Sequence, residues 1–309
     1  MKAQDQIMAP NAELIHTMPV HCHIDGHDGI RDPRGMTGQS MEVDVHLVQG
    51  DVGPLQNMAS CVERSHLDIN ALCAAPYASG LACLVEDEMD LGCTVIDMGA
   101  GVTSFAVFQG GAMIYSDSIP LGGWHVTNDI ARGLTCSNHD AERLKTLYGS
   151  AMVTSSDENE LIDVPQLGEV DDHEPNHVPR SLLIGVIQPR LEEILEMVRE
   201  RLDQNGLGNG LGNNGRQAVP RRVVLTGGAS QLPGLRDLAQ LILDKQVRLG
   251  RPIRLSGLPD AVSGPAFSTA AGLLTYAASH SHEMPAEIIA SVNSGSMFDR
   301  FKIWWRENW

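Results

Sequence analysis

Alternating apolar and polar positions predict two half-buried β-strands near the start of the chain, over residues 19–24 and 41–48. The glycine- and proline-containing stretch between them, residues 28–40, is typical of a loop. Apolar residues at helical spacing then predict a helix over residues 51–65. Residues 1–67 are therefore expected to form a small α+β unit.

Short β-branched runs separated by glycine turns predict a three-stranded meander in the middle of the chain. The predicted strands cover residues 94–98, 103–108 and 112–119. The segments around the meander are predicted as a strand-like segment over 72–75 and helices over 77–85, 125–134 and 138–149. The last of these helices has Asn138 before its apolar-periodic run, which is a typical helix start.

A long amphipathic pattern over residues 181–205 predicts the main helix of the second half, which Pro189 is expected to kink or interrupt. The other predicted elements are strands around Val153 and over 161–164, 222–225 and 247–255, and helices over 233–243 and 268–278. Glycine-rich residues 206–215 predict a flexible loop, and residues 279–296 are typical of a linker.

The formal net charge of -17 narrows the range of partners. It argues against nucleic acid, because the phosphate backbone would be repelled. Six scattered cysteines with no C-x-x-C pair favour free thiols in a reducing compartment over disulfides. No signal-peptide pattern follows Met1 and no apolar run is long enough to span a bilayer, so a cytoplasmic protein is expected, with any membrane contact made by a surface element.

Two glycine motifs carry the candidate chemistry. In TVIDMGAGVTSF, residues 94–105, a strand ends at Asp97 and a Gly-Ala-Gly turn follows. Such a turn can aim backbone N–H groups at a phosphate, and the aspartate can hold a Mg²⁺-bound water. In VVLTGGASQLPGL, residues 223–235, a Gly-Gly turn joins a buried strand to a helix and lets the backbone approach a flat ligand such as a purine. Taken singly, the first motif is more typical of an ordinary hairpin and the second of an ordinary βα turn.

A cluster of histidines near the first strand raises the question of a metal site. It comprises His16, His21, His23 and His27. No cysteine or carboxylate stands at ligand spacing from these residues, so a solvated strand face is favoured over a metal site.

The last stretch, MFDRFKIWWRENW at residues 297–309, predicts an amphipathic helix. Its aromatic side chains fall with Met297 on one arc of roughly 140° of a helical wheel, with all five charged residues outside that arc. The aromatic residues are Phe298, Phe301, Trp304, Trp305 and Trp309. Tryptophan prefers the membrane interface, so in-plane membrane anchoring is favoured over docking on the protein's own core.

The order of these motifs resembles the actin-like ATPase superfamily and, within it, the FtsA family of bacterial cell-division proteins. TVIDMGAGVTSF is similar to the second phosphate motif and VVLTGGASQLPGL to the adenosine motif, while the two small-residue helices resemble the interdomain connecting helices. The terminal amphipathic helix is the feature that separates FtsA from most relatives. The resemblance runs from about residue 14 to the end and implies an α/β, actin-like (ribonuclease H-like) fold.

The resemblance also implies a nucleotide cleft for ATP and Mg²⁺. The implied nucleotide-binding residues are Asp97, Gly99, Ala100, Gly101, Val102, Glu142, Lys145, Gly227, Gly228 and Ala229. Ala100 and Val102 depart from the family pattern, which usually has Gly and Thr there. Val102 would lack a side-chain hydroxyl, although the backbone donors remain.

The superfamily clamps the phosphates between two hairpins, and the first is not found in this sequence. The chain thus resembles an N-terminally truncated FtsA that begins inside the inserted subdomain, with ATP binding weakened and any enzymatic activity at most that of a weak ATPase. The implied division is 1–67 (inserted subdomain, 1C-like), 68–92 (first ATPase subdomain, 1A-like, incomplete), 93–138 and 222–264 (second ATPase subdomain, 2A-like), 139–221 (2B-like), 265–280 (connecting helix), 281–296 (linker) and 297–309 (membrane helix).

The function implied by the resemblance is a cell-division scaffold at the cytoplasmic face of the inner membrane, at the division site. It would bind the C-terminal tail of the tubulin-like protein FtsZ, self-associate into actin-like filaments and recruit later division proteins. Three arginines could meet an acidic FtsZ tail: Arg248, Arg251 and Arg254. Two alternatives stay open, a sugar or acetate kinase of the same superfamily and a nonfunctional truncated remnant.

Overall fold

The computed structural model describes residues 11–30, 33–165, 176–208, 220–253, 255, 257 and 259–279. The strands are β1 (Ala12–Ile24), β2 (His27–Ile30), β3 (Met41–Asp51), β4 (Cys93–Met98), β5 (Thr103–Gln109), β6 (Ala112–Ile119), β7 (Leu161–Val164), β8 (Asn176–Pro179), β9 (Arg222–Thr226) and β10 (Gln246–Leu249). The α-helices are α1 (Val52–Arg64), α2 (Ala75–Cys83), α3 (Glu86–Leu91), α4 (Gly123–Leu134), α5 (Asn138–Tyr148), α6 (Arg180–Gln204), α7 (Leu235–Leu243) and α8 (Ser268–Ser279). Short 3-10 helices lie at Gly228–Gln231, Asp260–Val262 and Pro265–Phe267.

A five-stranded mixed sheet forms the centre of the protein, in the order β10-β9-β4-β5-β6. The meander predicted from the glycine turns is confirmed, because β4, β5 and β6 pair antiparallel in sequence order. Strand β9 runs parallel to β4 on its other side and places Thr226 beside Asp97. The carboxyl ends of β4 and β9 therefore meet at one edge of the sheet.

Helices cover both faces of this sheet, which makes a three-layer α/β/α arrangement. On β5, Phe105 and Val107 point into the core with α4, α6 and α7, while Ala106 and Phe108 point into the core with α2 and α8. This alternation is the period-two pattern of a strand buried on both sides. The helix and strand composition matches the predicted α/β fold class.

A second, three-stranded antiparallel sheet, in the order β2-β1-β3, precedes the central one in the chain. Its inner face contributes Met18 and Val48 to the core that contains Tyr77 of α2. Helix α1 follows β3 directly, as the helical spacing in this stretch predicted. The described part of this stretch thus contains β1, β2, β3 and α1, and its sheet shares a core with α2.

The prediction of a solvated histidine face is wrong for His16. This side chain is 0% exposed and accepts a hydrogen bond at Nε2 from the Ala74 backbone N–H, at 3.0 Å. Its ring lies edge-on to Tyr77 and Tyr276. His27 is exposed, and His23 bonds to Asp28 and Asp44 at the surface. One face of β1 packs against α2. His16 lies on that face and is therefore buried.

Several local predictions also differ from the structure. Residues 72–74 form no strand, because the chain there runs into α2 with Pro76 in its first turn. Residues around Val153 are turn, and β10 ends at Leu249. Residues 28–30 of the predicted loop belong to β2, which pairs with β1, and the acidic stretch Glu86–Leu91 forms α3.

Helix α6 continues through Pro189, so the predicted interruption is wrong, and the alternative, a kink, stays a prediction. A proline ring conflicts with the carbonyl four residues earlier and leaves it without its helical donor. Here that residue is Gly185, which is exposed. Among the described residues, no helix has both the length and the apolar composition needed to cross a bilayer.

Candidate functional site

The turn between β4 and β5 is a tight hairpin closed by a hydrogen bond from Gly99 N–H to the Val102 carbonyl, at 3.0 Å. The carbonyls of Gly99 and Ala100 accept from the backbone N–H groups of Gly123 and Trp124 at the start of α4, at 2.9 and 2.8 Å. The N–H groups of Ala100, Gly101 and Val102 have no partner among the described residues. This hairpin, residues 99–102, therefore presents unpaired donors, which is what an anion requires.

A close backbone approach fixes the hairpin against α4. A Cβ atom built on Gly122 would lie 2.5 Å from the Gly99 carbonyl oxygen and 2.6 Å from that of Ala100. Only glycine fits at this position without displacing the hairpin. The Gly-Gly pair before α4 therefore positions the hairpin, a role that local sequence pattern does not indicate.

Asp97 lies at the end of β4, next to the hairpin, and is 8% exposed. Its Oδ2 accepts hydrogen bonds from Ser79 Oγ of α2 at 2.5 Å and from Thr269 Oγ1 of α8 at 2.7 Å. Gly227 lies against the other oxygen, since a Cβ atom built there would be 2.4 Å from Oδ1. Three separate elements thus surround one carboxylate at the sheet edge.

Helix α5 contributes Glu142 and Lys145. The Lys145 ammonium donates to the Gly123 carbonyl at 3.0 Å, to Thr127 Oγ1 at 2.8 Å and to Glu142 Oε2 at 2.7 Å. Burial by itself raises the pKa of Glu142, but the hydrogen bonds from Lys145 and Thr127 outweigh it and hold this pKa below its ordinary value. The pair links α5 to the start of α4, beside the hairpin.

The second glycine motif forms the turn after β9. Gly227 has a φ of 85°, a left-handed conformation that favours glycine, and its N–H donates to the Pro265 carbonyl at 3.2 Å. Gly228 is exposed, and Ala229 Cβ lies 3.1 Å from a Cβ atom built on Gly123. The turn is therefore in contact with the start of α4, which also contacts the hairpin and Lys145.

The structure brings the predicted nucleotide residues to one end of the central sheet. Open α/β sheets place their ligand sites at such carboxyl ends. Unpaired N–H donors, a carboxylate and an ammonium group are groups that suit a phosphate with its Mg²⁺, which is usually held by one or two carboxylates and the phosphate oxygens. Within the described residues, no group of three or more histidine, cysteine, aspartate or glutamate side chains could hold a metal ion without such a ligand.

The predicted partner residues lie elsewhere. Arg248 of β10 donates to both carboxylate oxygens of Glu88, at 2.8 and 2.5 Å, and to the Cys83 carbonyl. Arg251 is exposed. Arg254 and the terminal residues predicted to bind membrane lie outside the described residues; the latter are Phe298, Phe301, Trp304, Trp305 and Trp309.

Sequence reasoning missed Ser79, Thr127 and Thr269 as members of this site. Each is a small hydroxyl residue on a helix whose pattern is dominated by packing. Ser79 and Thr269 are 190 positions apart in the chain and 2.9 Å apart in space. A local sequence signal does not report such a contact.

Two family models match the chain. The model described as "Cell division protein FtsA" matches residues 94–272, which run from β4 into the first part of α8. The model described as "SHS2 domain inserted in FTSA" matches residues 1–49, which include β1 and β2.

Individual relatives agree with these models. The chain is 43% identical over 309 residues to the "Cell division protein FtsA" of Rhizobium meliloti, covering 99% of this chain and 68% of the relative. It is 44% identical over 299 residues to the protein of the same name from Agrobacterium fabrum, covering 97% of this chain and 64% of that relative. The chain thus spans about two thirds of the length of these relatives.

Solved structures with a similar fold are actin-like proteins. The "PilM-PilN type IV pilus biogenesis complex" matches with a TM-score of 0.59 at 20% identity, covering 89% of this chain and 69% of that chain. MreB 5 of Spiroplasma citri bound to AMPPNP matches with a TM-score of 0.51 at 14% identity, covering 83% of this chain and 87% of that chain. At these identities the likeness concerns the fold alone, and it confirms the predicted actin-like fold.

Proposed function

The chain belongs to the FtsA family of cell-division proteins, and we propose on this basis that it is a division scaffold with an actin-like nucleotide site. It would tether FtsZ polymers to the cytoplasmic face of the membrane at the division site and recruit later division proteins. Under this proposal residues 93–138 and 222–264 hold the nucleotide, and residues 139–221 form an inserted subdomain. The kinase alternative has no observation in its favour.

The hairpin at residues 99–102 is the observation that carries the nucleotide part of the proposal. Its unpaired N–H groups would hold a phosphate, and the adjacent Asp97 would orient a hydrated Mg²⁺. Lys145 and Glu142 would border the sugar and base, with Gly228 and Ala229 on the opposite wall. Bound ATP with Mg²⁺ would contact the hairpin, α5 and the turn after β9 at the same time.

Titration calorimetry with ATP, with and without Mg²⁺, tests this site. Lys145→Ala should weaken ATP binding at least tenfold, because the ammonium is tied into the α4–α5 wall by three hydrogen bonds. Arg143→Ala, an exposed position on the same helix, is the matched control and should bind as the unchanged protein does. Absence of ATP binding in the unchanged chain would end the nucleotide proposal.

The membrane part of the proposal rests on the sequence pattern of residues 297–309. Liposome flotation of the full chain beside a version ending at Ser296 tests it. Flotation of the full chain only would support an amphipathic anchor, and Trp304→Ser with Trp305→Ser should reduce flotation while Arg306→Ser should not. If both lengths stay in solution, the membrane tether is wrong for this chain.

The partner part of the proposal can be tested with a fluorescent FtsZ C-terminal peptide. Arg251 is exposed and is available for an acidic segment, whereas Arg248 is paired with Glu88 inside the molecule. Arg251→Glu should therefore weaken peptide binding without changing the thermal unfolding midpoint. Arg236→Glu on α7 reverses another exposed arginine and serves as the charge-matched control. Equal effects of the two reversals would indicate a nonspecific charge effect and contradict the site.

A further inference from the structure

Three side-chain oxygen atoms, from Ser79, Asp97 and Thr269, lie within hydrogen-bond distance of one another. Ser79 Oγ and Thr269 Oγ1 both donate to Asp97 Oδ2, at 2.5 and 2.7 Å, and the two hydroxyl oxygens are 2.9 Å apart. Ser79 is fully buried and Asp97 nearly so. One oxygen of the carboxylate is therefore held by two donors, and the rotation of the Asp97 side chain is restricted.

The two donors come from helices whose separation is fixed. Helices α2 and α8 cross in such close contact that a Cβ atom built on Gly272 would lie 1.8 Å from the Ala78 carbonyl oxygen. Ala78 and Gly272 lie within one helical turn of Ser79 and Thr269, respectively. The hydroxyl groups thus have defined positions relative to each other before any ligand arrives.

The other carboxylate oxygen, Oδ1, accepts no hydrogen bond from a described residue and lies beside Gly227. A side chain at residue 227 would collide with it, so glycine leaves this oxygen accessible from the second glycine turn. An ionised carboxylate has acceptor capacity on both oxygens. The arrangement separates an oxygen held by hydroxyls from an oxygen free for a ligand.

We propose that Ser79 and Thr269 are positioning residues, which fix Asp97 so that Oδ1 is presented to a divalent cation carried by a phosphate ligand at the hairpin. This inference rests on the nucleotide site proposed above. Groups that orient a metal-binding carboxylate from outside the coordination sphere typically change metal affinity 10- to 100-fold when they are removed. The cation-dependent part of binding should therefore depend on these hydroxyls, and binding without the cation should not.

Calorimetry on the full chain tests this with ATP in the presence of Mg²⁺ and in the presence of a chelator. Ser79→Ala and Thr269→Val should each weaken Mg²⁺-dependent binding by about tenfold and leave chelator-treated binding unchanged. Thr269→Ser keeps the hydroxyl and should restore binding. Thr94→Val is the matched control, because Thr94 on β4 has a buried hydroxyl with no hydrogen-bond partner in the described structure. Unchanged Mg²⁺-dependent binding in Ser79→Ala and Thr269→Val, equal losses with and without Mg²⁺, or a similar loss in Thr94→Val would overturn the inference.

A ligand-free measurement separates this inference from the nucleotide proposal. If the unchanged chain binds no ATP, the nucleotide function fails, and urea unfolding of a double-mutant cycle between Asp97→Ala and Thr269→Val decides the remaining question. Strongly non-additive changes in unfolding free energy would mean that Thr269 does hold Asp97 in the ligand-free protein, which supports the positioning role. Additive changes would overturn the positioning role as well.

Discussion

Gly272 of α8 lies directly against the backbone of Ala78 in α2, since a Cβ atom on Gly272 would be 1.8 Å from the Ala78 carbonyl oxygen. Gly272→Ala should therefore lower the free energy of unfolding by at least about 2 kcal/mol, because the two helices must separate to accommodate the methyl group. Urea unfolding measures this change.

The matched control is Gly185→Ala in α6, where an added Cβ meets nothing within 4 Å. This substitution should stabilise the protein by about 0.5–1 kcal/mol, because alanine loses less backbone entropy than glycine in a helix. If both substitutions stabilise the protein, the close crossing of α2 and α8 is wrong.

The pair between Arg248 and Glu88 joins β10 to α3 and leads to a second prediction. Glu88 is 5% exposed, and after Arg248→Ala its one remaining cationic partner among the described residues is Arg222, at 3.8 Å. We expect a loss of about 2 kcal/mol of unfolding free energy at pH 7, which is below the roughly 3–5 kcal/mol typical of a broken buried pair because the arginine is partly exposed. Arg251→Ala, at an exposed position nearby, should change stability by less than about 0.5 kcal/mol.

The effect of Arg248→Ala should depend on pH. Burial raises the pKa of Glu88, but the hydrogen bonds and charge of Arg248 outweigh burial and lower this pKa below its ordinary value. The stabilisation by the ionised pair is therefore present at neutral pH and is lost as the pH falls through that lowered pKa. The difference between the two proteins should shrink in acid, and a constant difference would contradict the pairing.

His16 predicts a pH dependence of stability with a different origin. Burial, and secondarily the nearby His46, lower the pKa of His16 to about 4 from its ordinary 6.5. Between these two pH values the unfolded chain binds a proton that the folded chain does not. The free energy of unfolding should therefore fall by about 3 kcal/mol as the pH drops from 6.5 to 4.

His16→Gln keeps an acceptor for the Ala74 N–H and removes the titrating ring, so it should flatten this part of the profile. His46, whose pKa burial also lowers, adds a smaller slope of the same sign that remains in the variant. His139→Gln, at an exposed position, is the control. A profile that is equally steep in His16→Gln would show that His16 titrates no differently in the folded and unfolded chains.

A substitution at Val102 is expected to tighten ATP binding. Its side chain is 48% exposed at the hairpin, where a hydroxyl could reach a phosphate bound by the neighbouring N–H groups. If the hairpin binds phosphate as proposed, Val102→Thr should tighten ATP binding about three- to tenfold, the effect of one added hydrogen bond. Val153→Thr makes the same exchange at a similarly exposed residue outside the helices and strands and should leave affinity unchanged. Weaker binding by Val102→Thr would mean that this side chain faces away from the phosphate.

Elements with a strong local signal were predictable from the sequence. Strands β6 and β7 have the predicted bounds, residues 112–119 and 161–164, because glycine turns or polar residues bracket a strand-like pattern. Helix α5 begins at Asn138, where Ser137 caps it by accepting from the Asp140 N–H. The long helix α6 was predictable from its apolar period.

Elements without such a signal were missed or placed wrongly. No element was predicted for the acidic run that forms α3, whose Glu88 lies near Arg222 of β9 and Arg248 of β10. Strand β2 has no apolar alternation and exists through its pairing with β1. These are tertiary effects that override weak local preference.

For the candidate site, the sequence by itself determined the glycine turns and Asp97, because a tight turn and a backbone approach need those residue types locally. Only the tertiary structure decided that Ser79 and Thr269 hold that carboxylate and that Gly122 supports the hairpin. Their residue types fit many local structures equally well. Their roles follow from contacts between distant segments, which form when α2, α8 and the parallel strands β4 and β9 pack into one core.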